Sequence, residues 1–204
     1  MKPLIAALAA SALLLPASAF AYQQGDVLLR VGVTSVQPDD RYKPAGVRAD
    51  DDTRLGLNIT YMLADNLGLE LLLATPFEHD IQLEGTGTVG STKHLPPTLS
   101  LQYYFTNNSP LTPYLGAGVN YTVFFDADLK EGGAGSIQLK DSTGVALQLG
   151  ADYAINNNWG PNLDIRWMDI DTYIESASAA GAGFVGTNVT IDPMVYSLTA
   201  LYRF

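Results

Sequence analysis

Apolar and polar residues alternate along most of the chain with a period of two. A β-strand places every second side chain on the same face, so this period predicts strands rather than helices. The closing stretch, residues 194–204, shows the pattern clearly. One of its two faces is apolar throughout: Tyr196, Leu198, Ala200, Tyr202 and Phe204.

Seven further segments alternate in the same way: 25–36, 54–63, 67–77, 98–105, 113–125, 145–155 and 161–167. Short, turn-rich connections follow every second strand, near 65–66, 106–110 and 156–158. Long Gly- and Asp-rich connections follow the others, at 38–52, 80–95, 127–142 and 174–189. Eight strands of membrane-crossing length in this order predict an all-β fold, an eight-stranded antiparallel transmembrane β-barrel with short periplasmic turns and long extracellular loops.

The residues on the polar face of each strand, which share one parity along the chain, indicate which face lies inside. In a soluble barrel the apolar face would point inward, so parity alone does not decide. The polar parity carries charged and amide residues beside glycines 32, 56, 116, 118 and 150, which suits the crowded interior of a small barrel. We therefore expect the apolar face to meet lipid. Because a buried unpaired charge is costly, we expect four arginines to pair with three acids in the lumen: Arg30, Arg54, Arg166 and Arg203 with Glu70, Asp152 and Asp164.

The first 21 residues predict a cleaved signal peptide followed by a barrel over residues 22–204. One Lys precedes an apolar run and a small-x-small motif that ends at Ala21. The chain has no Cys, which argues against a disulfide scaffold. A formal net charge of -10 argues against a nucleic-acid partner, whose binding surface would be basic.

Other candidate sites are weaker. His79 and His94 flank one long connection, but a metal site needs more converging ligands. We therefore expect two solvated loop residues. Five acidic residues could hold divalent ions with lipopolysaccharide or simply be solvated: Asp39, Asp40, Asp50, Asp51 and Asp52. Because no Ser-His-Asp set, Cys nucleophile or phosphate-binding loop stands out, we expect no enzyme, no metal and no cofactor.

Several ordered motifs resemble the outer membrane protein W (OmpW) family, which includes the alkane importer AlkL. They are "DTRLGLNITYMLADNLGLELLLATPFEHDI", "HLPPTLSLQYYF", "PYLGAGVNYTVFFD", "LKDSTGVALQLGADYAINNNW", "WMDIDT" and "DPMVYSLTALYRF". The resemblance covers nearly the whole chain after residue 21. It implies a barrel in a Gram-negative outer membrane that takes up small, mostly hydrophobic compounds and releases them sideways into the bilayer.

The resemblance also implies roles for particular residues. Leu72 matches an apolar position of the family's lumen pocket, and Pro96 and Pro97 match a motif at the wall opening. Proline cannot donate a hydrogen bond to a neighbouring strand, so it weakens pairing there. Arg166 departs from the inward aromatic that is frequent in the family, which favours a more polar cargo or an ion-paired plug.

We expect the cargo to pass Phe124 and Met168 on its way to Leu72. At the other end of the barrel, Tyr202 and Phe204 should lie in the interfacial aromatic girdle, where Phe204 serves assembly. The expected partners are outer-membrane lipid, lipopolysaccharide, small hydrophobic solutes and the barrel assembly machinery, for a monomeric protein.

Three functions stay open from the sequence. The first is a passive channel for small hydrophobic or amphipathic molecules with lateral exit. The second is a structural or adhesion barrel whose loops bind lipopolysaccharide, host, phage or bacteriocin. The third is an outer-membrane hydrolase that uses His79 or His94.

Overall fold

The computed structural model describes residues 22–39, 47–83, 87–129, 135–177, 185–186 and 188–204. The predicted signal peptide and Asp40 lie outside these residues. Within them, no helix is long and apolar enough to cross a membrane. The described residues form fourteen strands: β1 (Val27–Gln37), β2 (Val47–Ala49), β3 (Asp52–Ala64), β4 (Leu67–Ala74), β5 (Phe77–Leu83), β6 (Gly87–Leu95), β7 (Thr98–Tyr104), β8 (Leu111–Leu129), β9 (Gly135–Leu139), β10 (Ser142–Tyr153), β11 (Trp159–Met168), β12 (Asp171–Ala177), β13 (Asn188–Thr190) and β14 (Met194–Arg203).

Eight of these strands close into an antiparallel barrel in the order β1-β3-β4-β7-β8-β10-β11-β14. The closing strand β14 pairs with β11 on one side and with β1 on the other, and Leu198 lies opposite both Leu163 and Val33. A closed barrel leaves no free strand edge and pairs backbone groups between neighbouring strands, as a membrane requires. The predicted all-β, eight-stranded fold is confirmed.

The two faces of the wall differ as the alternation predicts. Outward side chains are large and apolar, and exposed fractions reach 62% at Leu163 and 57% at Leu55. Inward neighbours such as Glu70 and Gln102 have no exposed surface. A belt of exposed leucine, valine and tyrosine is stable only in lipid. The polar face of the strands therefore lines the lumen.

The long connections contain more regular structure than the sequence indicates. The hairpin of β5 and β6 pairs with the outer half of β8, which also pairs with β9. β12 pairs with both β9 and β13. At 19 residues, β8 is longer than the 9–11 residues that cross a membrane. These strands extend the wall beyond the membrane on the side of the long connections, where the sequence predicted long extracellular loops.

The lumen is filled in three layers along the barrel axis. The outer apolar cluster lies toward the long connections and consists of Val36, Leu72, Phe77, Phe124, Ala146, Met168, Ile170 and Val195. The tyrosine cluster lies toward the short turns and consists of Tyr22, Leu28, Met62, Tyr104, Tyr114 and Leu201. Between them lies a polar network built on Arg30, Glu70, Asp152, Asp164 and Arg166.

Candidate functional site

Glu70 is the centre of the polar network. Arg166 Nη2 donates to Glu70 Oε1 over 2.5 Å, and Arg30 Nη1 lies 3.5 Å from Oε2. The amides of Asn58, Gln102 and Gln148 also donate to this carboxylate, over 3.2, 2.7 and 3.1 Å. A fully buried carboxylate is stable only with such partners. Glu70 therefore links β3, β4, β7, β10 and β11 across the lumen.

Asp152 holds the other end of Arg30. Arg30 Nε and Nη2 donate to its two oxygens over 3.0 and 2.7 Å, in the bidentate geometry that binds a carboxylate strongly. Tyr22 donates its hydroxyl to the same group over 2.6 Å. Nearby, Asp164 accepts from Tyr114 over 2.9 Å and from Gln148 over 2.7 Å. The network thus continues into the tyrosine cluster without an apolar break.

Two of the four predicted arginines lie elsewhere, and the expectation is wrong for them. Arg54 pairs with Asp52 over 2.7 Å and faces Glu78 at 3.9 Å, with 39% of its side chain exposed at the outer mouth. Arg203 pairs with Asp26 over 2.8 Å near the short turns. Parity along a strand fixes the face of a residue but not its height in the barrel, so each arginine pairs with the acid at its own level.

The tyrosine cluster fills the lumen below the network. The rings of Tyr104 and Tyr114 lie 5.2 Å apart and those of Tyr22 and Tyr104 lie 5.0 Å apart, and all three are buried. Gly150 makes room for this packing, because an added Cβ would lie 2.3 Å from the Tyr114 ring. Sequence reasoning missed these tyrosines, although the inward parity of Tyr104 and Tyr114 was a signal for them.

The outer apolar cluster brings together the three residues that we expected along the cargo path. Leu72, Phe124 and Met168 are all buried within it. Arg166 lies one step below, two residues before Met168 on β11 and opposite Val195 on β14. The cluster therefore rests directly on the polar network. The sequence did not single out the other members of the cluster, among them Val36 and Phe77.

The barrel wall is interrupted beside this cluster. Pairing between β4 and β7 ends at Leu72 and Thr98, and pairing between β5 and β6 begins at Phe77 and His94. The segments 73–76 and 95–97 lie between these points. They include the two predicted prolines and also Pro76, which sequence reasoning missed.

The interruption is limited to one side of the proline motif. On its other side the backbone N–H of Tyr121 in β8 donates to the carbonyl of Pro97 over 3.0 Å. Pro96 itself is buried, and Pro97 is half-buried. The motif is therefore held to β8, and the unpaired stretch faces β4.

His79 and His94 are not the solvated loop residues that we expected. Both are buried on the inner face, with ring centroids 5.0 Å apart and an interplanar angle of 16°. His94 also contacts Phe77 and Phe124, at 5.7 and 5.9 Å. Burial, together with a smaller contribution from His79, lowers the pKa of His94 from its usual 6.5 to about 3, against an opposing effect of Asp52. His94 is therefore neutral at neutral pH.

The acidic residues at the mouth have structural contacts of their own. Asp52 accepts hydrogen bonds from Arg54 and from the backbone N–H of Glu78, each over 2.7 Å. The described part of the chain brings no three His, Cys, Asp or Glu side chains together in a metal-binding group. These contacts make Asp52 an anchor for the outer hairpin.

The family of the chain follows from a comparison of its sequence with known families. The family model described as the OmpW family matches residues 23–204. The chain belongs to the OmpW family. It is 42% identical to outer membrane protein W of Escherichia coli (strain K12) over the full length of both chains. It is 29% identical to outer membrane protein AlkL of Ectopseudomonas oleovorans, over 93% of this chain and 86% of that one.

A solved structure shows the same architecture. The crystal structure of the outer membrane protein OprG from Pseudomonas aeruginosa superposes with a TM-score of 0.78 at 39% identity, covering 92% of this chain and 99% of that one. This OmpW family member is therefore a β-barrel of the Gram-negative outer membrane. The exposed apolar belt faces the lipid of that membrane.

Proposed function

We propose that this barrel is a passive channel for small hydrophobic or amphipathic molecules, which leave it sideways through the wall into the bilayer. The observation that carries the proposal is the position of the wall interruption. It opens the strand pairing at the level of the outer apolar cluster, next to Leu72, while the lumen below is filled.

The upper part of the path is apolar. Phe77, Phe124 and Met168 present hydrocarbon surface in the outer half of the lumen. Transfer of an apolar solute from water to such a surface is favourable by about 25 cal/mol per Å² of buried area. The outer apolar cluster thus supplies a binding place for a solute that enters between the long connections.

The lower part of the path opposes the same solute. Arg30, Glu70 and Arg166 are buried. Glu70 accepts a hydrogen bond from Arg166 and lies 3.5 Å from Arg30, which donates to Asp152. An apolar molecule that crossed this level would have to displace charge-assisted hydrogen bonds and would replace none of them. Below lie the packed rings of Tyr104 and Tyr114. This barrier favours a side exit over passage into the periplasm.

The interruption provides that exit. Pro96 has no N–H to donate toward β4, and Pro76 lacks one on the opposite segment. The backbone of Pro97 faces β8 instead, where its carbonyl accepts from Tyr121. The segments 73–76 and 95–97 therefore separate at a lower cost than a paired ladder. A solute that leaves between them stays in apolar surroundings from the cluster to the acyl chains.

The test replaces both prolines with residues that can pair. In Pro96→Val/Pro97→Val the new N–H at position 96 can donate toward β4 and the one at position 97 toward β8. Valine also favours a strand. The matched control is Pro161→Val, because Pro161 lies in the lipid-facing wall of β11 opposite Ala200, away from the interruption. Uptake of a linear alkane and of a small polar solute is measured in proteoliposomes, with folding checked by heat modifiability.

We expect the double variant to lose most alkane uptake while it folds normally, and Pro161→Val to keep it. Unchanged alkane uptake in the folded double variant would reject lateral exit. A loss that affects only the polar solute would favour an ordinary pore through the periplasmic end. If the wild-type protein takes up neither solute, the adhesion barrel is the better explanation of the fold.

A further inference from the structure

A row of three rings crosses the inner wall directly above the interruption. Phe77 on β5, His94 on β6 and Phe124 on β8 are direct cross-strand neighbours. Their centroids are 5.7 Å apart between Phe77 and His94 and 5.9 Å apart between His94 and Phe124. The chain enters the interruption immediately after His94. A solute that moves from the outer apolar cluster to the exit must pass this row.

The middle ring is polar, whereas its two neighbours in the row are members of the outer apolar cluster. Only 2% of the surface of His94 is exposed, and its ring makes no hydrogen bond to any described residue. A neutral imidazole carries one N–H donor and one nitrogen acceptor. These groups are satisfied when water or a ligand that reaches the ring supplies the partner.

We propose that His94 hydrogen-bonds the polar group of a neutral amphipathic solute as it passes from the outer apolar cluster to the wall interruption. The solute class is a mainly apolar molecule with one hydroxyl or carbonyl group, such as a long-chain alcohol, a ketone or a phenol. This inference rests on the proposed function and names its cargo more closely.

The surroundings of His94 support a neutral ligand rather than an ion. Phe77 and Phe124 flank the ring, so a ligand approaches its edge, where both nitrogens lie. Burial beside His79 keeps the imidazole uncharged at neutral pH. Without a positive charge, it offers a carboxylate no ionic attraction to offset the loss of hydration. An alcohol loses much less hydration and regains one hydrogen bond.

The transport test uses the full-length protein in proteoliposomes with a linear alkane, the 1-alkanol and the carboxylate of the same chain length. His94→Phe keeps an aromatic ring in the row and removes both nitrogens. Phe77→Leu is the matched control, because it changes the packing of the row and leaves the imidazole intact. We expect His94→Phe to lower the ratio of alkanol to alkane uptake about fivefold, the usual effect of one lost hydrogen bond. Phe77→Leu should keep the wild-type ratio.

A second measurement does not depend on transport. The side-chain ¹⁵N resonances of His94 are recorded in micelles with the alkanol and with the alkane. The alkanol should shift them and the alkane should not. An equal effect of His94→Phe on both solutes, or unshifted resonances, would overturn the role of His94 and leave lateral exit standing. If the proline variant keeps its alkane uptake while the alkanol still shifts His94, lateral exit fails and the binding role stands.

Discussion

At the scale of single residues, the molecule depends on buried charges that are individually costly and jointly satisfied. Glu70 contacts two arginines and three amides without any exposed surface. Glu78 is also a carboxylate near an arginine, but it lies 3.9 Å from Arg54 and is 42% exposed. Burial makes the two positions very different, since water replaces the partner only at the exposed one.

Glu70→Gln should therefore destabilise the barrel much more than Glu78→Gln. The first change leaves Arg30 and Arg166 buried with one carboxylate fewer, which lowers the free energy of unfolding by about 3 kcal/mol. The second removes an exposed pair and costs less than about 1 kcal/mol. Urea unfolding in micelles measures both values. Equal losses in the two variants would contradict the central role of Glu70.

His94 should make stability depend on pH. Its pKa is lowered to about 3 in the folded barrel, against 6.5 for an ordinary histidine. The unfolded chain therefore binds a proton more readily, so stability is full above pH 6.5 and is lost as the pH falls toward 3. Between pH 7.5 and pH 5, wild type should lose about 2 kcal/mol more than His94→Phe in urea unfolding. Parallel losses in the two proteins would contradict a buried, neutral His94.

At the scale of elements, alternation predicted the eight spanning strands because each has lipid on one side and a polar lumen on the other. It missed β5, β6 and β9 because these strands rise beyond the membrane. Their outward positions are polar, for example Glu78 and Lys93, which lie opposite each other. The sequence of these strands therefore has no apolar face that would identify them as part of the barrel wall. The inward parity of Phe77 and His79 was the remaining signal.

The effect of the proline motif was also only partly predictable from the sequence. Its sequence showed that Pro96 and Pro97 cannot donate to a neighbouring strand. Which neighbour loses its pairing depends on the register of β4, β5 and β8, and register is set by contacts between strands that are far apart in sequence. For the same reason, the contribution of Pro76 became visible only in the structure.

The end of β14 should matter for assembly. The ring of Tyr202 makes edge-to-face contacts with Phe204 and with Trp159, each with centroids 4.6 Å apart. The Phe204 N–H donates to the carbonyl of Val27 across the closing seam. Deletion of Phe204 should lower the amount of heat-modifiable barrel in outer membranes severalfold. Phe105→Ala is the control, because Phe105 is also an exposed aromatic near the short turns but lies away from the seam. Normal folded yield after the deletion would show that the last residue is dispensable.

At the scale of the whole molecule, three layers give one barrel two unequal ends. The outer half contains the outer apolar cluster beside the wall interruption. The inner half is closed by the ion pairs of the polar network and by the tyrosine cluster. The exposed belt fixes the barrel in lipid. In the lateral exit that we propose, transport needs no movement of the polar network. Uptake and ion conduction should therefore be separable in this protein.

The tyrosine cluster allows that separation to be tested. Tyr104→Ala/Tyr114→Ala removes two fully buried rings beside Arg30 and Asp164. A space lined by polar groups fills with water, so ion conductance across a planar bilayer should rise well above that of the wild type. Alkane uptake should stay unchanged, because the outer apolar cluster and the interruption are intact. Tyr103→Ala/Tyr153→Ala, which removes two lipid-facing rings, is the control and should alter neither quantity. If alkane uptake rises together with conductance, the solute leaves through the periplasmic end and the wall interruption is not its exit.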